Sequence, residues 1–346
     1  MKIHQNFTGG NIRVKEISGD TVILENELRD TEGDWFYWAF CVEGAEDREI
    51  TFKFESKRLG YWGPAVSHDL KDWQWLDSVD GESFTYRFGI GESPVYFAHN
   101  MLYHPDRFIA FAESRALKVS ELCRSRKGRS VPCLHIGDGK RSIIITARHH
   151  ACESTGSYVM EGILEELTAS PIPNTRILCV PFVDYDGVLD GDQGKSRAPH
   201  DHNRDYTDAP IYPEVAAIRT HADRYGCNFG FDLHSPYHKG GNNDRIFIVR
   251  NKVEKLEKFD RFSALLESEL TPDAMQYKKE NDHPPLTGWN QPSPNFAFTT
   301  NSRPECDLAF TLESAYFGTN ENKVSAERLI SLGKCFAKAI RKYIGE

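Results

Sequence analysis

Residues 142–166 read SIIITARHHACESTGSYVMEGILEE, an apolar strand that runs straight into a histidine-rich helix start. Ile143, Ile144 and Ile145 make a short β-branched run, and Val159, Met160, Ile163, Leu164 and Leu167 then repeat at helical spacing. His150 and Glu153 stand at the junction. Placed three residues apart on a helical first turn they share one face, so an imidazole nitrogen and a carboxylate oxygen can meet on one cation. That is half of a metal site. A His and a Glu at this spacing also occur on many solvated helix faces, so the third ligand must come from elsewhere in the chain.

A length of 346 residues predicts two domains rather than one core. Lys plus Arg number 42 against 51 Asp plus Glu, a formal net charge of −9, which argues against nucleic acid or an anionic membrane as a general partner. The opening MKIHQNFTGGNIRVKEISGD has no long apolar stretch, so neither a signal peptide nor a transmembrane helix is expected, and a soluble cytoplasmic protein is. Eight cysteines without a CxxC pair read as reduced, mostly buried thiols.

Residues 1–115 have the texture of an N-terminal β-sandwich domain. Short apolar runs at 21–24, 36–42, 50–54 and 83–88 are separated by Gly, Asp and Asn clusters. Trp35, Trp38, Trp62, Trp73 and Trp75 concentrate there; they can line a carbohydrate groove, but filling a sandwich core is the commoner use of such rings. The stretch 113–129 crowds Arg115, Lys118, Arg124, Arg126, Lys127 and Arg129 and reads as a helix and a solvated hairpin, with a basic patch for an acidic ligand as the sharper alternative. From 116 to 346 strands alternate with helices, the pattern of an α/β domain. Strands are predicted at 142–147, 176–183, 228–233, 245–249 and 307–312, and helices at 153–167, 213–225, 252–270 and 323–343. Two long loops, 184–212 and 271–307, flank the histidine-bearing strands, and loops of that length in a compact domain usually carry function.

In an open α/β sheet ligands bind beyond the carboxyl ends of the strands. His150 follows one such end and His234 closes another, FDLH. His150, Glu153 and His234 therefore form a two-histidine, one-carboxylate set, which suits zinc with one position left for water. Glu313 ends a further strand, where a carboxylate can serve as general base; a surface acid is its bland reading. In the first long loop Asn203 and Arg204 offer an amide and a guanidinium fork for an anionic substrate group, and Asp201 can orient a metal-bound imidazole.

Four short motifs, HACE, DHNR, DLHS and FTLES, occur in an order that resembles the zinc metallocarboxypeptidase family, and within it the cytosolic carboxypeptidase branch. VPFVDYDGV resembles the segment before the family's Asn-Arg pair. FYWAFCVEGAEDREITFKF, GYWGPAVSHDLKDW and SPVYFAHN resemble the small sandwich that precedes the catalytic domain in that branch. The resemblance implies a mixed, mostly parallel sheet flanked by helices and one zinc ion per chain on His150, Glu153 and His234. It implies Glu313 as general base and acid, Asn203 and Arg204 on the substrate's C-terminal carboxylate, and Asp201 supporting a zinc histidine. The carbonyl-polarising arginine is assigned to Arg197, with Lys195 close behind. The substrate is then the C-terminus of a peptide or protein, or a side-chain glutamyl bond. Ala151 and Cys152 depart from the branch, which has Pro-Gly there.

Other histidines have duller readings. His149 can compete with His150 for Glu153, but as a strand-end residue it is expected to face the core or cleft. His234 and His238 have HxxxH spacing, yet Pro236 and the Gly240-Gly241 pair argue against the helix that would align them. Asp184, Asp186, Asp190 and Asp192 read as an acidic turn rather than a calcium loop. Arg303 suggests an acidic released residue, or simply a partner for Glu305. Two other functions stay open: a zinc deacylase acting on N-acyl amino acids or cell-wall peptides, and a non-catalytic binding protein.

Overall fold

Residues 1–345 are described in the computed structural model of the chain. Its largest element is a seven-stranded mixed sheet in the order Val119–Arg124, Ser130–Ile136, Thr175–Val180, Arg141–Ala147, Phe229–His234, Leu308–Glu313 and Phe247–Val249. The third to sixth strands are mutually parallel, and the edge strands run antiparallel. The Ile143-Ile144-Ile145 run sits second in from neither edge but at the centre, buried on both faces, where β-branched side chains pack best. Its alternation sorts the two layers. Ile143 and Ile145 join the core under helices Thr155–Ala169, Leu256–Glu269 and Ala326–Gly345, whereas Ile144 faces Val215 and Ile218 of helix Pro213–Tyr225.

Phe231, Phe262, Phe310 and Phe336 form the densest part of the larger core, with ring centroids 5.0–5.3 Å apart for the Phe262–Phe310 and Phe231–Phe336 pairs. The strand and helix positions follow the predicted ones within a few residues. The predicted helix at 153–167 is the main exception with a consequence. It begins at Thr155, so His150 and Glu153 occupy a turn before the helix, closed by Glu153 N–H donating to His150 O at 3.2 Å.

Two smaller sheets precede this layer. One contains Lys2–His4, Ala39–Glu43, Val95–Ala98, Ala65–Ser67 and Gln74–Trp75, the other Arg13–Ser18, Thr21–Glu25, Glu49–Phe54 and Ser83–Arg87. They face each other across Trp38, Phe40, Phe52, Phe84 and Phe97. The opposite face of the first sheet, with Ala39, Ala65 and Ala98, packs into the same core as the large sheet. The tryptophans divide accordingly. Trp38 fills the sandwich, while Trp62 and Trp75 donate through Nε1 to Phe317 O (2.9 Å) and Val324 O (2.8 Å) at the junction with the large sheet's region.

The basic stretch leads from a helix end into a hairpin, and four of its six charges are paired, Lys127 with Asp190 among them (2.5 Å). Arg115 pairs with Glu165 (2.8 Å), Arg124 with Glu121 (3.0 Å), and Arg129 with Asp186 (3.2 Å) and Asp190 (2.7 Å). The acidic run is a helix, Tyr185–Asp190, rather than a turn, with Asp184 accepting from Gly187 N–H at 3.0 Å as its N-cap. All eight cysteines are free thiols, seven of them buried. Among the described residues no helix is long and apolar enough to cross a membrane.

Candidate active site

The turn that carries the first two ligand candidates is tied down by a residue that stands in no motif. Arg148 has a left-handed backbone (φ 63°), is buried, and donates to Ala151 O through Nε at 2.8 Å and to Tyr103 O at 3.2 Å. This fixes the loop so that His150 and Glu153 point to the end of the neighbouring strand, where His234 stands.

The three meet closely. His150 Nδ1 lies 2.9 Å from Glu153 Oε1 and His234 Nδ1 lies 2.7 Å from Glu153 Oε2. One donor atom from each falls within 4.8 Å of the others. The far nitrogen of each ring faces another carboxylate: His234 Nε2 lies 2.7 Å from Asp232, and His150 Nε2 lies 3.8 Å from Asp201. Carboxylates on the outer nitrogens orient both imidazoles and leave Nδ1 of each for a common centre, which is how proteins prepare histidines for a metal. The donor set fits a divalent cation such as zinc.

Asp232 was missed by the sequence reading, although a signal existed. In a strand, residues two apart share a face, so the Asp and His of DLH point the same way. Asp232 also binds Thr146 Oγ1 (2.8 Å) and His149 Nδ1 (2.7 Å), and His149 Nε2 reaches the Tyr206 hydroxyl at 2.8 Å. His149 is thus fully engaged behind the site, wholly buried, and does not displace His150.

Charge runs through the cluster in a consistent sense. Burial works to raise the Glu153 carboxyl, but Lys195, His150 and His234 outweigh it and hold it well below the usual carboxylate range. Burial works against protonation of His234, yet Asp232 and Glu153 raise it well above an ordinary histidine. Glu313 goes the other way: burial, with Glu153 adding to it against the surrounding cations, pushes its carboxyl up to about 7. Its strand pairs in register with that of His234, residue against residue, and its Oε2 is buried without a hydrogen-bond partner.

His150, Glu153, His234 and Glu313 line one cleft of about 220 Å³, together with Lys195, Asn203 and Arg204. Asn203 Nδ2 sits 3.4 Å from His234 Nε2. The Arg204 guanidinium makes one hydrogen bond among the described residues, to Asn203 O at 2.9 Å, and has no carboxylate partner. The remaining walls come from the second long loop (Gln291), from residues after His234 (Tyr237, Asn243), from Asn251 past the edge strand, and from Thr311 in the strand of Glu313.

Arg197 is not among them. Its guanidinium is held by Asp30 (2.6 Å), Asp184 (2.5 Å) and Asp192 (2.8 Å) beside a separate cavity, so its assignment as carbonyl-polarising residue is corrected: three carboxylates neutralise it and turn it from the cleft. Lys195 lies in the cleft instead, with its ammonium against Glu153 Oε1. Arg303 is likewise occupied, by Asp223 (2.9 Å) and Glu305 (2.8 Å), and does not reach the cleft. Cys152 is buried against the Tyr316 hydroxyl (3.5 Å) behind the ligands, and burial pushes its thiol up to about 11. His238 stacks on Phe36 (4.7 Å) rather than joining His234 at the metal position.

No family model matches the chain. An uncharacterized protein of Zymomonas mobilis, ZMO1242, is 31% identical over 312 residues, 82% of this chain and 81% of that protein. Cytosolic carboxypeptidase 2 of Xenopus tropicalis is 27% identical over 244 residues and that of Homo sapiens 24% over 265. The aligned regions span 25% and 29% of those two longer proteins. Among solved structures, metallo-carboxypeptidases of Burkholderia cenocepacia and Pseudomonas aeruginosa share the fold over 99% and 100% of this chain, with TM-scores of 0.81 and 0.82 at 21% identity. The fold is that of a metallocarboxypeptidase, with a β-rich N-terminal region preceding the mixed sheet. The named sequence relatives of the chain are cytosolic carboxypeptidases.

Proposed function

We propose that the chain is a zinc-dependent carboxypeptidase that hydrolyses the C-terminal peptide bond, or a side-chain glutamyl bond, of a peptide or protein. One observation carries this reading: three convergent cation donors, a buried unpartnered carboxylate and an Asn-Arg pair lie in a single cleft. Zinc held by His150, Glu153 and His234 would supply a Lewis acid and acidify water to a pKa of ~7.

The chain's own residues supply the rest. Arg204 takes the substrate carboxylate on its planar fork, and Asn203 adds an amide donor; together they fix which bond faces Glu313. Glu313 accepts a proton from the attacking water and delivers it to the leaving nitrogen. Lys195 presents its ammonium to the carbonyl oxygen as negative charge gathers there, in a site where low dielectric makes that attraction strong. Asp201 and Asp232 keep the two imidazoles in register. In this reading residues 1–115 form the β unit and residues 116–346 the catalytic unit. Eight unpaired cysteines suit a reducing compartment and support a cytoplasmic reaction.

Matched peptides with free and amidated C-termini test the reading. Release of the last amino acid from the free form alone is expected, because the amide removes the charge that Arg204 reads. Equal hydrolysis of both would shift the function to a deacylase or cell-wall peptide amidase, and binding without any turnover would make it a binding protein.

A further inference from the structure

Lys195 sits on a loop held from two sides. Its own region contributes Cys152 N–H donating to Gln193 O at 3.3 Å and Ser196 N–H donating to Asp201 at 3.1 Å, and residues 27–37 of the N-terminal region hold the other side. Gln193 exchanges hydrogen bonds with the Tyr37 backbone, at 2.9 Å from N–H and 2.8 Å to O, and also donates to Glu27 O at 3.2 Å. Arg29 pairs with Asp192 at 3.1 Å and Asp30 with Arg197 at 2.6 Å. The Glu32 N–H donates to Ser196 O at 3.1 Å. Lys195 is therefore stitched on both sides to a segment outside the large sheet.

One side chain of that segment touches two residues that line the cleft. The Lys195 ammonium lies 5.0 Å from the centroid of the Trp35 ring, within the range of a cation–π contact. The same indole meets Tyr237, on the opposite wall, edge to face at 5.8 Å. Its Nε1 is fixed by Glu32 O at 2.9 Å, so the ring orientation is set by its own local turn. Phe36, the next residue, packs against Tyr237 (5.5 Å) and His238 (4.7 Å). The Trp35 ring thus touches a cation on one wall and an aromatic on the other, and it is only half-buried, which is little return for a purely packing role.

We propose that Trp35 is a positioning residue for the reaction: it holds the Lys195 ammonium toward the scissile carbonyl and Tyr237 at the cleft mouth, so that the N-terminal β region is a working part of the active site. The inference rests on the role given to Lys195 above. Lys195 has a flexible four-carbon stem whose ammonium is paired with Glu153 Oε1, and without a ring to rest on it would pivot about that carboxylate to positions away from the carbonyl. Misplacement of a charge by about 1 Å from the reacting atoms is enough to cost on the order of 100-fold in rate.

The test is a double-mutant cycle on the full zinc-loaded chain, with Trp35→Ala, Lys195→Ala and the double variant, plus Trp35→Phe as the conservative control. Zinc content and melting temperature are measured on each. Trp35→Ala is expected to lower kcat roughly tenfold or more while leaving KM within about threefold, with zinc content unchanged. Trp35→Phe, which keeps a π face, is expected to restore most of the rate. Once Lys195 is already Ala, removing Trp35 is expected to cost little more, because the group it positions is gone. Two additive single losses, or a Trp35→Ala variant as fast as the parent, would overturn the positioning role. A Lys195→Ala variant with undiminished kcat would instead overturn the role of Lys195 itself, a distinct failure.

Discussion

Asp232 governs more of the site than either histidine. It is wholly buried, and burial works to raise its carboxyl, but His149 and His234 outweigh that and keep it well below the usual range. As an anion it fixes which nitrogen of His234 faces Glu153. Asp232→Asn is expected to weaken zinc binding by about 10–100-fold without unfolding the chain, read by competition with a chelator. Glu313→Ala is the complementary case: zinc content near one per chain and retained substrate binding, with turnover lower by orders of magnitude, measured by release of the C-terminal amino acid. His234 and Glu313 were legible because each ends a strand, where periodicity fixes direction; His150 and Glu153 were read from a helical spacing they do not have, and the turn that carries them brings both toward His234 all the same. The choice between Lys195 and Arg197 was not, since Ser196 between them adopts φ 49° and sends two residues of similar charge into different cavities. No regular period exists in such a loop to say which residue faces where.

The helix Thr155–Ala169 holds Glu153 near His234 because it can lie unusually close to its neighbours. A Cβ on Gly156 would stand 2.7 Å from Leu233 O, the residue before His234. Gly162 and Gly333 allow the same intimacy with helix Ala326–Gly345, where a Cβ would come within 1.9 Å of Ile330 O and 2.1 Å of Val159 O, respectively. Gly333→Ala is therefore expected to lower stability by about 1–3 kcal/mol or more, seen in denaturant melts. Gly156→Ala separates helix start from strand end, so its signature is loss of zinc at a modest cost in melting temperature. The capping residue of the next helix responds to pH instead. Burial works to raise Asp184, but Arg197 and His202 outweigh it and its folded pKa lies below the unfolded one. Its contribution is complete above about pH 4, the unfolded carboxyl value, and is lost as pH falls through the folded pKa. Asp184→Asn is expected to flatten acid unfolding below about pH 4. Alternating strands and helices made the large sheet readable from sequence. The hairpin 119–136 was harder to delimit, because its strands are half-exposed and carry charges whose partners lie far along the chain.

At the scale of the molecule the cleft is lined by residues between His150 and Glu313, few of which are charged beyond the candidate metal ligands and Glu313. Lys195 and Arg204 are the lysine and arginine of its lining, and the proposed reaction assigns a task to each. Beyond them the walls are amide, hydroxyl or apolar: Asn243, Asn251, Gln291, Thr311, Val249 and Ala297. A released side chain with a full charge would lose its hydration there and meet no opposite charge in return, a penalty that neutral side chains escape. The acidic preference suggested by Arg303 loses its basis once that guanidinium is bound to Asp223 and Glu305. A set of peptides differing only in the last residue decides the matter. Those ending in Asn, Gln, Thr or Leu are expected to show higher kcat/KM than those ending in Glu or Lys, by at least about tenfold, since discrimination against an uncompensated charge exceeds that for a methylene. Preference for glutamate would mean that Arg204 reads the side chain rather than the terminal carboxylate, and exchanging Asn251 for Arg would then fail to improve an already favoured substrate. With the neutral preference in place, Asn251→Arg is expected to shift activity toward glutamate, because it alone adds the missing charge to the far wall.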